Sequence, residues 1–179
     1  CTYSCEKQDG MVSNWHLVHL GARATGGAGL VMAEATAVSP KGRITPWCTG
    51  IWSDEHIPGW RAVTDFIRYQ GASSAIQLAH AGRKASTYRS QSGSGSVPIE
   101  LGGWQTVSST TEAFEGYAAP RELSSDEIQG LVQDFVRAAK RSVTAGFDAI
   151  EIHAAHGYLL HQFLSPISNK RSDEYGGSL

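Results

Sequence analysis

Three times in this chain a helical pattern stops at glycine and a short apolar run follows within a few residues. The first helix is expected from Asn14 to about Thr25: Asn14 can cap it, Trp15, Val18 and Ala22 share a face, and Gly26-Gly27 stop it. Leu30-Val31-Met32-Ala33 then reads as a buried strand ending in Glu34-Ala35-Thr36. A second helix, from about Ile57 to Gln70, carries Trp60, Val63 and Ile67 on one face and closes at Gly71. Ala75 to Ala79 is the next strand. The third helix has the strongest signal. Ser124-Ser125-Asp126-Glu127 forms a capping box, Ile128, Leu131, Val132, Phe135, Val136, Ala139 and Val143 hold one face, and Ala145-Gly146 ends it. A strand from Phe147 to Ile152 follows. Repeated units of this kind demand an α/β fold with a parallel sheet, either doubly wound or closed into a barrel.

The ends of these strands decide between the two. Each ends in polar groups: Glu34 on the first, Gln77 and His80 on the second, His153 and His156 on the third. Cys1 and Tyr3 would play that part for a strand lying before them. Polar ends on successive strands fit a barrel mouth, where neighbouring strands face one pocket. A doubly wound sheet would more often show a Gly-rich phosphate loop after its first strand, and neither GxGxxG nor GxxxxGK[ST] occurs. The expected fold is therefore a (β/α)8 TIM barrel. Such a barrel needs about 250 residues, so the 179 residues read as roughly the first four βα units. The chain starts at Cys1 without an initiator Met and stops at Gly176-Gly177-Ser178-Leu179, within what reads as a loop. The expected domain assignment is thus residues 1–179 as the N-terminal half of one barrel domain, the C-terminal half missing. Residues 81–122 form a long irregular segment, expected to be a lid, a binding loop or a region with small elements of its own.

Composition excludes several classes of function. A formal net charge of -2 with no basic block leaves no nucleic-acid footprint. No apolar run approaches the roughly 20 residues of a membrane span. Three cysteines without a CxxC pair argue against a disulfide framework or zinc ribbon, so a reducing cytoplasmic setting is the default expectation.

The mouth offers Cys1, Tyr3, Gln77, His80, His153, His156 and Tyr158, with Lys84 a little further out. Glu151 has no second carboxylate nearby, which weakens a glycosidase reading, and a Ser/His/Asp triad has no GxSxG elbow. His153, His156 and His161 are possible metal ligands, yet neither HExxH nor a clustered carboxylate completes a site, so no metal is expected. Histidines and tyrosines suit holding a carbonyl oxygen and delivering a proton. Redox chemistry would have to come from a cofactor. Taken alone, Cys1 reads as a buried structural thiol, His80 and His161 as loop-organising, and His16 and His19 as solvent or core residues. Glu34 and Glu151 read as partners for cations such as Arg83 or Lys84, and Asp173 and Tyr175 as fixing the loop after the last strand.

Four long stretches resemble the Old Yellow Enzyme family of FMN-dependent ene-reductases. They are Trp15 to Leu20 (WHLVHL), Gly29 to Val38 with Gly42 to Ile44, Ile76 to Ala85 (IQLAHAGRKA), and Ala145 to Leu159 (AGFDAIEIHAAHGYL), the last running on through Phe163 to Pro166 and Asn169 to Ser178. Cys1-Thr2-Tyr3 and the second histidine, His156, resemble the thermophilic-like branch that includes the xenobiotic reductases; the yeast-type branch has Thr and Asn at these two places.

The resemblance implies FMN as cofactor and NADPH or NADH as reductant in a ping-pong cycle, with hydride passing to the β-carbon of an α,β-unsaturated carbonyl or nitro compound. It places Cys1, Ala35 and Gln77 against the flavin, Cys1 near the reactive edge and Gln77 at the pyrimidine end. Tyr3, His153 and His156 are implied to bind substrate, and Tyr158 to protonate its α-carbon. The implied partners are small-molecule enones or nitro compounds, with no nucleic acid and no membrane, and the parent is open to homo-oligomer formation. Two alternatives stand beside this: a 2,4-dienoyl-CoA reductase-like member of the superfamily, and an isolated half-barrel without activity of its own, because phosphate contacts come from late strand loops.

Overall fold

The computed structural model describes residues 1–177. Helix α1 spans Asn14–Thr25, but the cap is Ser13 rather than Asn14: the Ser13 hydroxyl accepts from the Trp15 N–H, and Nδ1 of His16 accepts from the Ser13 N–H at 3.0 Å. Histidine here does the work that Glu or Gln does in an ordinary capping box. The buried face is also not the expected one. His16, Leu20, Gly21 and Ala24 point inward, whereas Trp15 and Val18 are exposed and Trp15 stacks on His19 at 4.4 Å. The inward face is set by α2, Ile57–Tyr69, whose Phe66 lies so close that a Cβ on Gly21 would come within 2.7 Å of its ring.

Between these helices runs β1, Leu30–Ala37, and after α2 comes β2, Ser73–Ala79. Both are longer than the apolar runs that announced them, because parallel pairing carries the ladder into the polar ends. Two short strands, β3 (Val107–Ser108) and β4 (Arg121–Glu122), pair in parallel within the long loop, giving it small elements of its own. Helix α3, Ser125–Thr144, starts at the expected capping box of Ser124 and Glu127. Strand β5 is Ala149–Ile152, shorter than expected at its start, where the Phe147 N–H is taken by the Ser142 carbonyl as α3 ends. A last short helix, α4, covers Leu159–Leu164.

The main sheet has the order β1-β2-β5, all parallel. Val31, Ala33, Ile76 and Leu78 join Trp60, Val63, Ile67, Ala138 and Phe147 in the principal core between sheet and helices. Alternation then puts Met32, Ala75, Gln77, Ala149 and Glu151 on the other face. The register slips between Ala33 and Ala35, a bulge that sets Ala35 opposite Gln77. The apolar stripe of α3 divides. Ile128 and Ala138 are buried, while Val132, Val136 and Val143 are exposed, since the described helices leave that side uncovered. No described helix is long and apolar enough to cross a membrane.

Candidate active site

Parallel pairing brings three strand ends side by side. Gln77 pairs with Ala35 on one side and Glu151 on the other, and the His153 N–H continues the ladder to the Leu78 carbonyl at 2.9 Å. His153, at the end of β5, is buried. Its ring lies edge-on to His156, 5.1 Å away, and to Tyr158, 4.9 Å away. The Ala155 N–H donates to Nδ1 of His153 at 3.3 Å, so Nε2 carries the proton of the neutral ring and is a donor for a ligand oxygen. Burial, and then the neighbouring His156, holds the His153 pKa below its ordinary value.

His156 itself is exposed and left-handed, at φ 57, followed by Gly157 at φ 72. This sharp turn places Tyr158 at the N-cap of α4. Burial pushes the Tyr158 phenol above its ordinary pKa, helped by Cys48 and Tyr117. Tyr3, also left-handed at φ 53, is pushed up to about 12 by burial and then by Cys48 and Tyr158. Tyr3, Tyr158 and Tyr117, the last from the long loop, thus share one neighbourhood.

Cys1 departs from the buried thiol expected of it: it is exposed, with Sγ 3.9 Å from the Ala35 carbonyl. The two carboxylates also depart from expectation. Glu34 accepts from the N–H and hydroxyl of Thr2, at 2.7 and 2.5 Å, and Glu151 accepts from the Gln77 amide. Neither reaches Arg83 or Lys84, because those cations turn toward main-chain oxygens. Arg83 donates to the Glu112 carbonyl at 3.1 Å, and Lys84 to the His156 carbonyl at 2.9 Å. His80 is buried, its Nδ1 accepting from the Gly82 N–H, and burial lowers its pKa to about 4. His161 lies on α4, and among the described residues no three His, Cys, Asp or Glu side chains gather as metal ligands. Arg171 ties the last loop to Asp173, Glu122 and the Leu123 carbonyl, while the Tyr175 carbonyl accepts from Asn169.

Two contributors escaped the sequence reading, Tyr117 and Gln162, and a third, Lys84, was placed just beyond the mouth without the role it has. Lys84 lies 4.1 Å from the Phe114 ring centroid and 5.9 Å from that of Tyr158, beneath the turn it supports. Tyr117 lies near enough to Tyr3 and Tyr158 to raise the pKa of both phenols. Gln162 is wholly buried although it stands among the apolar residues of α4, and that misplaced amide was the one available signal. A cavity of about 780 Å³ lies elsewhere, between α3 and α4, lined by Ile128, Leu131, Phe135, Leu160 and Phe163 but by none of the histidine pair or Tyr158. Its lining is mostly apolar, with Asn169, Glu174 and Tyr175 as the polar exceptions, so the strand ends, where histidines and tyrosines converge, are the better candidate for chemistry.

Parallel strands with covering helices, and polar groups gathered at the strands' C-terminal ends, define a class: part of a (β/α)8 barrel with its site at the mouth. The sequence profile of the NADH:flavin oxidoreductase / NADH oxidase family matches residues 1–179, and the chain belongs to that family. It is 48% identical over 178 residues to an NADPH dehydrogenase of Bacillus subtilis, covering 99% of this chain and 48% of that protein. An NADPH dehydrogenase of Listeria innocua is 49% identical over 177 residues, with the same coverage. Among solved structures, morphinone reductase superposes with a TM-score of 0.84 at 32% identity, covering 98% of this chain and 48% of that one. An old yellow enzyme homologue from Zymomonas mobilis superposes with a TM-score of 0.80 at 31% identity, covering 98% of this chain and 49% of that one. The chain therefore spans about half the length of the curated relatives it matches. FMN, with NAD(P)H as reductant, is the cofactor set of this family.

The residues present fit a flavin ring. The Gln77 amide stands beside the Ala35 main chain with one N–H given to Glu151, and its other N–H and its carbonyl can meet the acceptor and donor of an imide-like edge.

Proposed function

We propose that residues 1–179 are the N-terminal half of one FMN-binding barrel domain in an NAD(P)H-dependent ene-reductase acting on α,β-unsaturated carbonyl or nitro compounds. The observation that carries this reading is His153 packed edge-on against both His156 and Tyr158, with Nδ1 fixed as an acceptor. Two imidazoles and a phenol at one strand end suit a substrate that develops negative charge on oxygen and takes a proton on carbon. The half-barrel assignment is supported by the relatives' length and by the uncovered flanks of β5 and α3, where Ile152, Val132, Val136 and Val143 are exposed.

When bound, FMN supplies the hydride chemistry that no side chain here can perform. Gln77 would hold the pyrimidine end of the ring, with Cys1 and the Ala35 main chain beside it. His153 donates through Nε2–H to the substrate oxygen and His156 completes the clamp, lowering the energy of the oxyanion as charge shifts onto it. Tyr3 adds a hydrogen bond to the substrate. Tyr158 carries its proton through the neutral range as any phenol does, burial raises its pKa further, and it delivers that proton to the α-carbon.

The decisive variant is Tyr158→Phe in the flavin-loaded full-length protein. Enone turnover should fall by about 10²–10⁴-fold, the range of a lost general acid, while NADPH still bleaches the flavin. Unchanged enone turnover removes Tyr158 as the donor. Replacing His153 and His156 together by Ala should weaken the binding of a simple phenol about 10–100-fold, as expected for two lost hydrogen bonds. Unaltered phenol affinity refutes the oxygen clamp.

A further inference from the structure

The His156-Gly157 turn carries two consecutive left-handed residues, one of them not glycine. Such a turn persists only where its surroundings over-determine it. Two side chains from outside it hold its successive carbonyls: Lys84 donates to His156 O at 2.9 Å, and Gln162 Nε2 donates to Gly157 O at 2.7 Å. We propose that Gln162 is a positioning residue, keeping the His156-Gly157-Tyr158 turn in register with the end of β2 so that clamp and proton donor face one substrate.

The amide of Gln162 is used to its full capacity. Nε2 also donates to Ala81 O at 3.4 Å, while Oε1 accepts from Ser108 Oγ at 2.8 Å and from the Arg83 N–H at 3.3 Å. One wholly buried group thus joins the loop after β2, the strand β3 within the long loop, and the loop after β5. The Gln162 carbonyl is itself held by the hydroxyls of Ser109 and Ser168, at 3.0 and 3.1 Å, so α4 cannot slide to relax the network. Gly82 completes the seat. It is left-handed at φ +60, and a Cβ there would come within 2.4 Å of Oε1. Gln162 touches neither substrate nor flavin in this assignment; it acts through the turn, and the inference rests on the clamp reading above.

The test uses the flavin-loaded full-length protein and a simple phenol, with binding read as a change in the flavin's visible spectrum and expressed relative to wild type at each pH. Gln162→Glu keeps shape and acceptor but exchanges the amide donor for a titrating group. Ionised, it faces the Gly157 and Ala81 carbonyls with no N–H; protonated, it returns one donor. The expected result is retained flavin with phenol affinity about 10–100-fold lower on the alkaline side, the scale of a misplaced clamp, recovering toward acid through one ionisation that wild type lacks. Gln162→Met, which has no donor, should lose affinity at every pH. Wild-type affinity in a flavin-retaining Gln162→Glu protein, or a loss that ignores pH, overturns the proposal. Should neither variant fold, Ser108→Ala decides: it removes one bond to Oε1 and should weaken phenol about threefold, as a lost hydrogen bond does, and no change overturns the proposal. The His153→Ala/His156→Ala double variant in the same assay separates the two readings. Unchanged binding there defeats the clamp itself, whereas a loss there with none at Gln162 defeats only the positioning role.

Discussion

His153, His156, Tyr158 and Gln77 were legible from the chain alone because each sits at or just beyond a strand end, and strand ends follow from local pattern. The groups that hold them were not. Lys84 reaches a carbonyl 72 residues away and Gln162 one 81 residues away, contacts that exist only once β2 and β5 pair. The Ser13 cap was missed because its reciprocal partner is His16, and Ser53 repeats the device with His56. Left-handed backbone at His156 favours Asn, Asp and His over branched residues, which suits the histidine found there. His80 supplies a prediction at this scale. Its pKa falls from 6.5 to about 4 on burial, so the folded state favours the neutral ring. The stability this provides is complete above about pH 6.5 and is lost as pH falls toward about 4, by roughly 3 kcal/mol. His80→Asn, which keeps an acceptor for the Gly82 N–H, should flatten urea-denaturation midpoints between those two pH values. An undiminished pH slope would place the acid sensitivity elsewhere.

Among the elements, α3 was the most readable because its start signal and its apolar period agree. Its cap is intact: Ser124 Oγ accepts from Glu127 N–H, and the Glu127 carboxylate accepts from Ser124 N–H and from Arg121. These bonds hold the Glu127 pKa down to about 2. Ser124→Ala should cost about 1 kcal/mol, read as a lower midpoint in urea with the slope unchanged. Full wild-type stability would mean that tertiary packing alone fixes the helix start. The α3 stripe was over-read for a physical reason. Periodicity reports every apolar position, whereas burial depends on which neighbours are present, and Val132, Val136 and Val143 are left exposed among the described residues. The short strands β3 and β4 were invisible for the opposite reason: two residues each carry no period.

For the whole molecule, the parallel sheet was contained in the helix–glycine–strand repeat, and the polar residues at successive strand ends then favoured a barrel over a doubly wound sheet. The bulge at Glu34 was contained in neither, since a one-residue slip in register leaves no compositional trace. By themselves, residues 1–179 should bind free flavin weakly and self-associate through the open flanks of β5 and α3. Size-exclusion chromatography with absorbance at flavin wavelengths checks this, and a yellow monodisperse monomer would contradict it. The order β1-β2-β5 matches the order of the chain, with only the short β3–β4 pair set aside in a loop. Each strand therefore meets its partner as soon as it leaves the ribosome, without waiting for a distant segment. The sheet can grow by addition at one side during synthesis, and the last strand to be added is β5, the one that delivers the histidine pair.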